Sequence, residues 1–340
     1  MMRALKFLLQ NQLKRSKLIE EVGGFSLIEL LVAMILAVLV ITPLMGFMIS
    51  VMNADRQEQA KVSSEQEIQA AVDYIARDLQ QAIYIYDSAG IDAIRNELPS
   101  STSTDRVPVL VFWKRELIED IITVTAGEKD DTYVYSLVAY YLIKDSNTNW
   151  SNAARIARWQ IRDGVLTTAS SGVTCDGYTG KYISNDYCPS KGFALFSLDG
   201  AGTIHEKMNA WKRLSQYTTK DTNGADVVNN VTPGAPVVLV DYIDQTIPNS
   251  PLIIPPSKIT CPTGSTLVAP DTTNFNTRDT FKMTSFYACV DRVNTTAQVF
   301  LRGNAIARLQ SNNLNYADNK RAYFPNASIR VQGRGYLFTQ

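Results

Sequence analysis

Histidine is nearly absent from this chain, since His205 is the one residue of that type among 340. A catalytic triad or a histidine-rich metal site cannot be built around it without other groups, and the stretch 199–206 is predicted to be a loop. The chain also lacks a Gly-x-Ser-x-Gly elbow, a phosphate-binding loop and a Gly-x-Gly-x-x-Gly turn. Because no residue pattern activates a nucleophile, we predict that the protein is not an enzyme and uses no cofactor.

A net charge is also missing, because the 33 lysines and arginines balance the 33 aspartates and glutamates. A nucleic-acid-binding protein would show a basic excess or a basic patch, so this balance argues against nucleic acid as a partner. The length of 340 residues allows one large domain or two ordinary ones.

Cysteine is scarce, and no Cys-x-x-Cys pair occurs, which argues against a zinc site. The four cysteines are Cys175, Cys188, Cys261 and Cys289. An even number of cysteines in an oxidising compartment indicates disulfides. The spacing favours Cys175–Cys188 and Cys261–Cys289, but four cysteines permit three pairings and the sequence alone does not choose among them.

The run from residue 25 to residue 52 is apolar except for one charge, Glu29. A membrane-spanning helix needs about 20 apolar residues, so this run is long enough to cross a bilayer. A carboxylate near the start of such a helix costs roughly 2.5–3.5 kcal/mol in lipid, which makes Glu29 a candidate functional residue. Residues 1–24 are short and basic, and a basic flank ahead of a span predicts a cytoplasmic N-terminus.

A distinct residue pattern lies at the start of this run. Gly24 is followed by Phe25, then by three residues, then by Glu29. At these positions the chain resembles the prepilins of type IV pili and the pseudopilins of type II secretion. The resemblance implies that a prepilin peptidase removes residues 1–24 by cutting after Gly24, that Phe25 is then N-methylated, and that Glu29 pairs with the terminal amine of a neighbouring subunit.

The part of the chain after the long helix is also large, and in size it resembles the enlarged heads of minor pilins and pseudopilins of the W and J type. Residues 289–291 and 299–305 also resemble cyanobacterial hormogonium polysaccharide secretion pseudopilins. The implied partners are the prepilin peptidase and methylase, other pilins or pseudopilins, and an inner-membrane assembly platform. The implied location is the cytoplasmic membrane, with the head on the extracytoplasmic side. An alternative function is a filament-borne module whose head recognises a secreted polymer or a partner subunit.

The pattern after residue 52 predicts that the helix continues. Apolar residues recur at spacings of three and four up to Tyr86, while Asp73, Arg77 and Asp78 are predicted to occupy the other faces. Pro43 and Gly46 are expected to interrupt the apolar part. The predicted divisions are therefore a leader (1–24), an apolar helix (25–52), an amphipathic continuation (53–86) and a β-rich head (87–340).

Strand-forming residues dominate several stretches of the head, and residues 163–192 are predicted to be a surface loop held by the first two cysteines. The predicted strands are 107–113, 132–143, 155–161 and 237–243, together with a hairpin of 282–292 and 297–302. Strands in succession after one long helix predict an α+β fold in which an antiparallel sheet packs on the helix.

Two groups of residues in the head leave alternatives open. Tyr133, Tyr135, Tyr140 and Tyr141 fit either a sugar-binding stripe or packing in the sheet core. The segments 221–226 and 271–279 are rich in oxygen ligands, as calcium loops are, but ordinary turns have the same composition. No metal site is predicted from either segment.

Overall fold

Helix α1, residues Leu27–Gln80, is the longest element of the computed structural model. The structure describes residues 24, 26–125, 127–248, 255–272, 281–335 and 337. The chain divides into two compact units, of which the first ends at Arg56 and the second begins at Gln57. Helix α1 therefore contributes to both units.

Eleven strands and two further helices follow in the described part of the chain. The short helices are α2 (Ser88–Ile94) and α3 (Ile204–Asn209), and 3-10 turns occur at Arg95–Glu97, Asn185–Tyr187, Ala305–Arg308 and Asp318–Tyr323. The strands in chain order are β1 (Ala82–Ile85), β2 (Arg106–Thr125), β3 (Glu128–Ile143), β4 (Ala154–Arg162), β5 (Gln216–Lys220), β6 (Asp226–Asn230), β7 (Val237–Ile243), β8 (Thr266–Val268), β9 (Phe286–Asp291), β10 (Thr296–Arg302) and β11 (Asn326–Gln332).

The strands form three antiparallel sheets. The largest has five strands in the order β1-β2-β3-β4-β7, the second has four in the order β11-β10-β9-β8, and β5 pairs with β6 in a separate hairpin. A bridge between Ile243 and Gly303 joins the ends of β7 and β10, so the two larger sheets are neighbours. The predicted α+β class, with a long helix and antiparallel sheets in the C-terminal head, is confirmed.

The second half of α1 supplies one side of the core. Ile68, Val72, Ile75 and Leu79 are buried at spacings of four, three and four, as the sequence pattern predicted. They belong to the same hydrophobic cluster as β-sheet residues such as Phe112, Leu137, Ile156, Val299 and Leu301. Burial of each large apolar side chain stabilises the fold by about 1.5–3 kcal/mol, so this stripe anchors the helix to both sheets.

The predicted continuation of the helix to residue 86 is wrong. Helix α1 ends at Gln80, and residues 82–85 form β1, whose backbone pairs with β2 opposite Phe112, Trp113 and Lys114. All four residues of β1 are buried, so the strand shows none of the polar alternation that would distinguish it from a helix. The β-branched and aromatic residues in this stretch fit a sheet better than a helix.

Asp78 is also misplaced by the sequence pattern, because the structure buries it instead of leaving it on a polar face. Its carboxylate accepts hydrogen bonds from Lys114 Nζ at 3.1 Å, from Tyr140 Oη at 2.6 Å and from Arg158 Nε at 2.7 Å. These partners lie on β2, β3 and β4, so one side chain of α1 connects the helix to three adjacent strands.

The electrostatics of this contact favour the ionised carboxylate. Burial alone would raise the pKa of Asp78, but the hydrogen bond from Arg158 and the charges of Lys114 and Arg158 outweigh it and lower the pKa. Burial, together with the neighbouring Asp78, raises the pKa of the Tyr140 hydroxyl, which therefore stays protonated and remains a donor. A buried charge of this kind is tolerated because its oxygens are fully paired.

Two disulfides fasten segments that have little regular structure, and they are the pairs that the spacing favoured. Cys175 bonds to Cys188 within the predicted loop 163–192, which contains one 3-10 turn but no strand. Cys261 bonds to Cys289 and attaches the segment before β8 to β9. The described part of the chain contains no free cysteine.

We predict that Asp78→Asn lowers the free energy of unfolding by roughly 3–5 kcal/mol, because Lys114 and Arg158 lose their shared buried counter-charge. Chemical denaturation of the full chain measures this difference. Asp73→Asn, at an exposed position on the same helix, is the matched control and should change stability by less than about 0.5 kcal/mol.

We also predict that the effect of Asp78→Asn on the free energy of unfolding depends on pH. The depressed pKa of Asp78 means that its contribution is complete above the ordinary carboxyl value of about 3.9 and is lost as the pH falls through the lower value of the folded state. The stability difference between wild type and Asp78→Asn should therefore narrow below about pH 4. A difference that is constant between pH 3 and pH 7 would contradict the role of the ionised carboxylate.

We further predict that the two disulfides contribute unequally. The sequence separations are 13 residues for Cys175–Cys188 and 28 for Cys261–Cys289. Loop-closure entropy then makes the longer loop worth about 0.7 kcal/mol more, within a typical contribution of roughly 2–4 kcal/mol each. Unfolding of the two double Cys→Ser variants tests the order, and a larger loss from Cys175/Cys188 would contradict it.

Candidate functional site on the apolar helix

The first part of α1 is an apolar surface that nothing in the described chain covers. Every residue from Ser26 to Gln59 is exposed, and an 18-residue window of the helix has a mean hydropathy of 2.7 with none of its residues buried. Leu27 is 90% exposed, Phe47 69% and Met48 60%. Helix α1 is thus long and apolar enough to cross a membrane.

An apolar surface of this size is unfavourable in water, at about 25 cal/mol for each Å² that remains exposed. Soluble monomers rarely expose contiguous apolar patches larger than a few hundred Å², so the surface requires lipid or other apolar helices around it. The helix and the two disulfides together suggest membrane anchoring with an extracytoplasmic head.

Glu29 lies in the first turn of α1 and is exposed. Its backbone N–H donates to Ser26 O at 3.0 Å and to Ser26 Oγ at 3.2 Å, so Ser26 caps the helix start. The unpaired N–H groups of a first turn and the helix dipole favour a negative charge at this position. Among the described residues, no cation forms an ion pair with Glu29.

Gly24 is exposed just before this turn, and a β-carbon placed on it would have no heavy atom within 4 Å. Packing against the described residues therefore does not explain a glycine at this position. Phe25 and residues 1–23 lie outside the described residues. Of the residues predicted to take part in processing and assembly, the structure describes Gly24 and Glu29.

Pro43 does not interrupt the helix, contrary to the expectation from the sequence. Helix α1 is continuous through Pro43 and Gly46. Pro43 deprives only Leu39 O of its backbone donor, so the hydrogen bonds on either side keep the helix continuous. Thr42 Oγ1 donates to Val38 O at 2.8 Å, which is a different carbonyl.

The side chain of His205 is held by hydrogen-bonding neighbours in the head. It belongs to α3, not to a loop, and its Nδ1 lies 2.9 Å from Tyr84 Oη while its Nε2 lies 3.2 Å from Asn209 Nδ2. Burial and the charge of Arg292 lower the pKa of His205, so the ring is neutral at physiological pH. Both ring nitrogens of His205 are thus engaged by side chains of the head.

The tyrosines of β3 fit the core interpretation better than the sugar-binding stripe. Tyr140 and Tyr141 are fully buried, and their hydroxyls donate to Asp78 and to Pro99 O. Tyr133 is exposed and carries Arg115 over its ring at 3.7 Å. These side chains therefore do not form a continuous binding surface.

The segment 221–226 uses its oxygens in a turn. Asp221 Oδ1 accepts from the N–H groups of Asn223 and Ala225 at 2.8 Å each, and Asp226 pairs with Lys220 at 2.5 Å. In the segment 271–279 only Asp271 and Thr272 lie within the described residues, and Asp271 pairs with Lys258. No group of three potential metal ligands occurs among the described residues.

The arrangement as a whole is a pilin-like architecture: a long apolar N-terminal helix, a head of antiparallel sheets, and disulfides. The helix surface can insert into a membrane or pack against like helices, and Glu29 offers the single carboxylate within it. No protein-family model, no curated protein and no solved structure matches this chain.

Proposed function

We propose that this protein is a minor pilin or pseudopilin, a structural subunit of a type IV pilus-like or type II secretion-like filament. In this proposal a prepilin peptidase cuts between Gly24 and Phe25, and the new amine of Phe25 is methylated. The processed chain is a single-pass protein of the cytoplasmic membrane with its head outside, and an assembly platform moves it into the filament.

The observation that carries the proposal is the division of α1 into two different surfaces. Its buried residues all lie between Ala60 and Leu79, whereas the apolar residues from Leu27 to Met52 are exposed. The first set packs within the head, so the head does not need the apolar part for its own stability. That part is free to exchange lipid for the helices of neighbouring subunits.

Glu29 favours the transfer of the helix from lipid to a bundle of neighbouring helices. An unpaired carboxylate is costly in an apolar medium, and an ammonium group from a neighbour would compensate it there. Coulombic attraction grows as the local dielectric constant falls, so the pair is stronger inside a helix bundle than in water. A methylated terminal amine carries such a charge at the same depth as Glu29 of the next subunit, which sets the register between subunits.

We predict that Gly24→Ala, or a bulkier substitution, leaves an unprocessed precursor in the membrane, because the peptidase requires a residue without a side chain at the cut. Intact-mass measurement distinguishes the precursor from a chain that lacks residues 1–24. Gly46→Ala is the matched control, since Gly46 also has open space around it and lies beyond the motif. A mature chain that begins at Phe25 in the Gly24 variant would refute processing at this bond.

We predict that Glu29→Gln is cleaved and inserted normally but is incorporated poorly into the filament, since glutamine keeps the shape and loses the charge. The measurement is cross-linking between cysteines introduced into the apolar part of adjacent subunit helices. Glu65→Gln, at an exposed position in the head half of α1, serves as the control. Wild-type cross-linking in the Glu29 variant would show that the carboxylate does not guide assembly.

A further inference from the structure

Strands β2 and β3 continue past the rest of their sheet. Strand β1 pairs with β2 no farther than Lys114, and β4 pairs with β3 no farther than Ser136. Beyond these residues β2 and β3 are paired with each other up to Thr125 opposite Glu128, and no third strand of the described chain joins them. We call residues 117–133 of this hairpin the acidic ribbon. Its β3 strand spans about 20 Å at about 3.3 Å per residue, so the ribbon is an arm that extends from the sheet.

The acidic ribbon has solvent on both faces. None of the residues 117–124 and 127–133 is buried in the described structure. Val124 is 62% exposed, Tyr133 51% and Leu117 39%. A two-stranded ribbon without further strands is marginally stable in water, and its outer backbone groups lack partners. The length of this ribbon and its exposed apolar side chains therefore favour a partner that covers it.

The charge of the acidic ribbon restricts what that partner is. The ribbon has one lysine, Lys129, against the five carboxylates of Glu119, Asp120, Glu128, Asp130 and Asp131, which gives one minus five, or −4. Apart from Glu128, none of these carboxylates forms an ion pair within the described chain. Asp130 and Asp131 accept hydrogen bonds only from backbone N–H groups of the ribbon itself. A surface that covers the ribbon must therefore be basic.

The same chain carries a basic surface around β11. The segment 318–334, which we call the basic edge, has one acid, Asp318, against the four cations Lys320, Arg321, Arg330 and Arg334. The three arginines are exposed, and none of the four cations forms an ion pair within the described chain. The net charge of the basic edge is thus four minus one, or +3.

The basic edge also offers an unpaired strand. Strand β11 is outermost in the four-stranded sheet, so one of its sides has no neighbour among the described strands. Ala327 and Ile329 pack against the core, which places Ser328 and Arg330 on the outward face. A strand that adds to this side would gain backbone hydrogen bonds and would meet the positive charge of Arg330.

The two surfaces match in backbone and in charge. Each presents a strand edge whose N–H and C=O groups have no strand beside them, and strand addition between chains pairs such groups. Their net charges are opposite, and opposite charges across an interface select the partner and fix its orientation. A second copy of this chain therefore supplies what the acidic ribbon of the first copy lacks.

We propose that the acidic ribbon of one copy of this chain adds as a strand to the basic edge of a second copy. The contact joins two different surfaces, so each copy keeps one surface free and the contact can repeat in one direction. It lies entirely between heads and requires neither cleavage after Gly24 nor the carboxylate of Glu29. The inference therefore goes beyond the proposed function and is tested separately from it.

The test uses full chains, each with one introduced cysteine, reconstituted together in lipid vesicles. One chain carries Val124→Cys in the acidic ribbon, and the other carries Ser328→Cys on the outward face of the basic edge. The four native cysteines are paired in disulfides, so a bis-maleimide links only the introduced thiols. A different affinity tag on each chain allows mixed dimers to be isolated and counted.

We expect mixed dimers of the Val124→Cys and Ser328→Cys chains at a yield at least about threefold above the control, a ratio that a weak attraction is enough to produce. Val228→Cys replaces Val124→Cys in the control, because Val228 is 59% exposed on the separate hairpin β5–β6 and lies outside both surfaces. Equal yields overturn the proposal and leave the ribbon to another subunit or to solvent. A higher yield between two Val124→Cys chains indicates a symmetric contact and also overturns it.

Charge reversal then tests whether the two surfaces meet directly. Glu119→Lys on the ribbon chain, or Arg330→Glu on the edge chain, should lower the yield by about threefold to tenfold, because each brings like charges together. Both reversals in the same mixture should restore the yield. The reversals lie on different chains, so such rescue does not arise from a change in the folding of either one. A combined mixture that cross-links no better than the single reversals overturns the proposal.

Discussion

The buried carboxylate of Asp78 is the contact on which the docking of α1 against the sheet depends. Apolar burial along Ile68, Val72, Ile75 and Leu79 attracts the helix to the sheet, but it is non-directional. The hydrogen bonds of Asp78 to three adjacent strands are directional, so they fix the rotation and the position of the helix. A shift of one residue along α1 would carry the buried carboxylate away from Lys114 and Arg158 and break both ion pairs.

A second buried ion pair has a corresponding role between the two sheets. Arg302 at the end of β10 pairs with Asp244, which directly follows β7, and the backbone N–H of Asp244 donates to Arg302 O at 3.0 Å. Buried ion pairs thus link the helix to the five-stranded sheet and that sheet to the four-stranded one, and each is embedded in apolar packing. This construction leaves the other half of α1 with no part in the stability of the head, and that independence suits a helix that changes its surroundings. The helix surface is extended and lacks polar groups apart from a few side chains, so it suits lipid and other helices.

The sequence by itself determined the apolar span, the single carboxylate within it, the α+β class and the favoured disulfide pairs, because each rests on local composition or spacing. Only the tertiary structure decided where α1 ends, since Ile83 and Tyr86 continue a helical spacing, while Ile83 lies in β1 and the backbone N–H of Tyr86 donates to Val111 O. The tertiary structure alone placed Asp78 in the core. The local sequence around a charged residue beside an apolar stripe is the same whether that residue faces water or side chains 36 to 80 positions away.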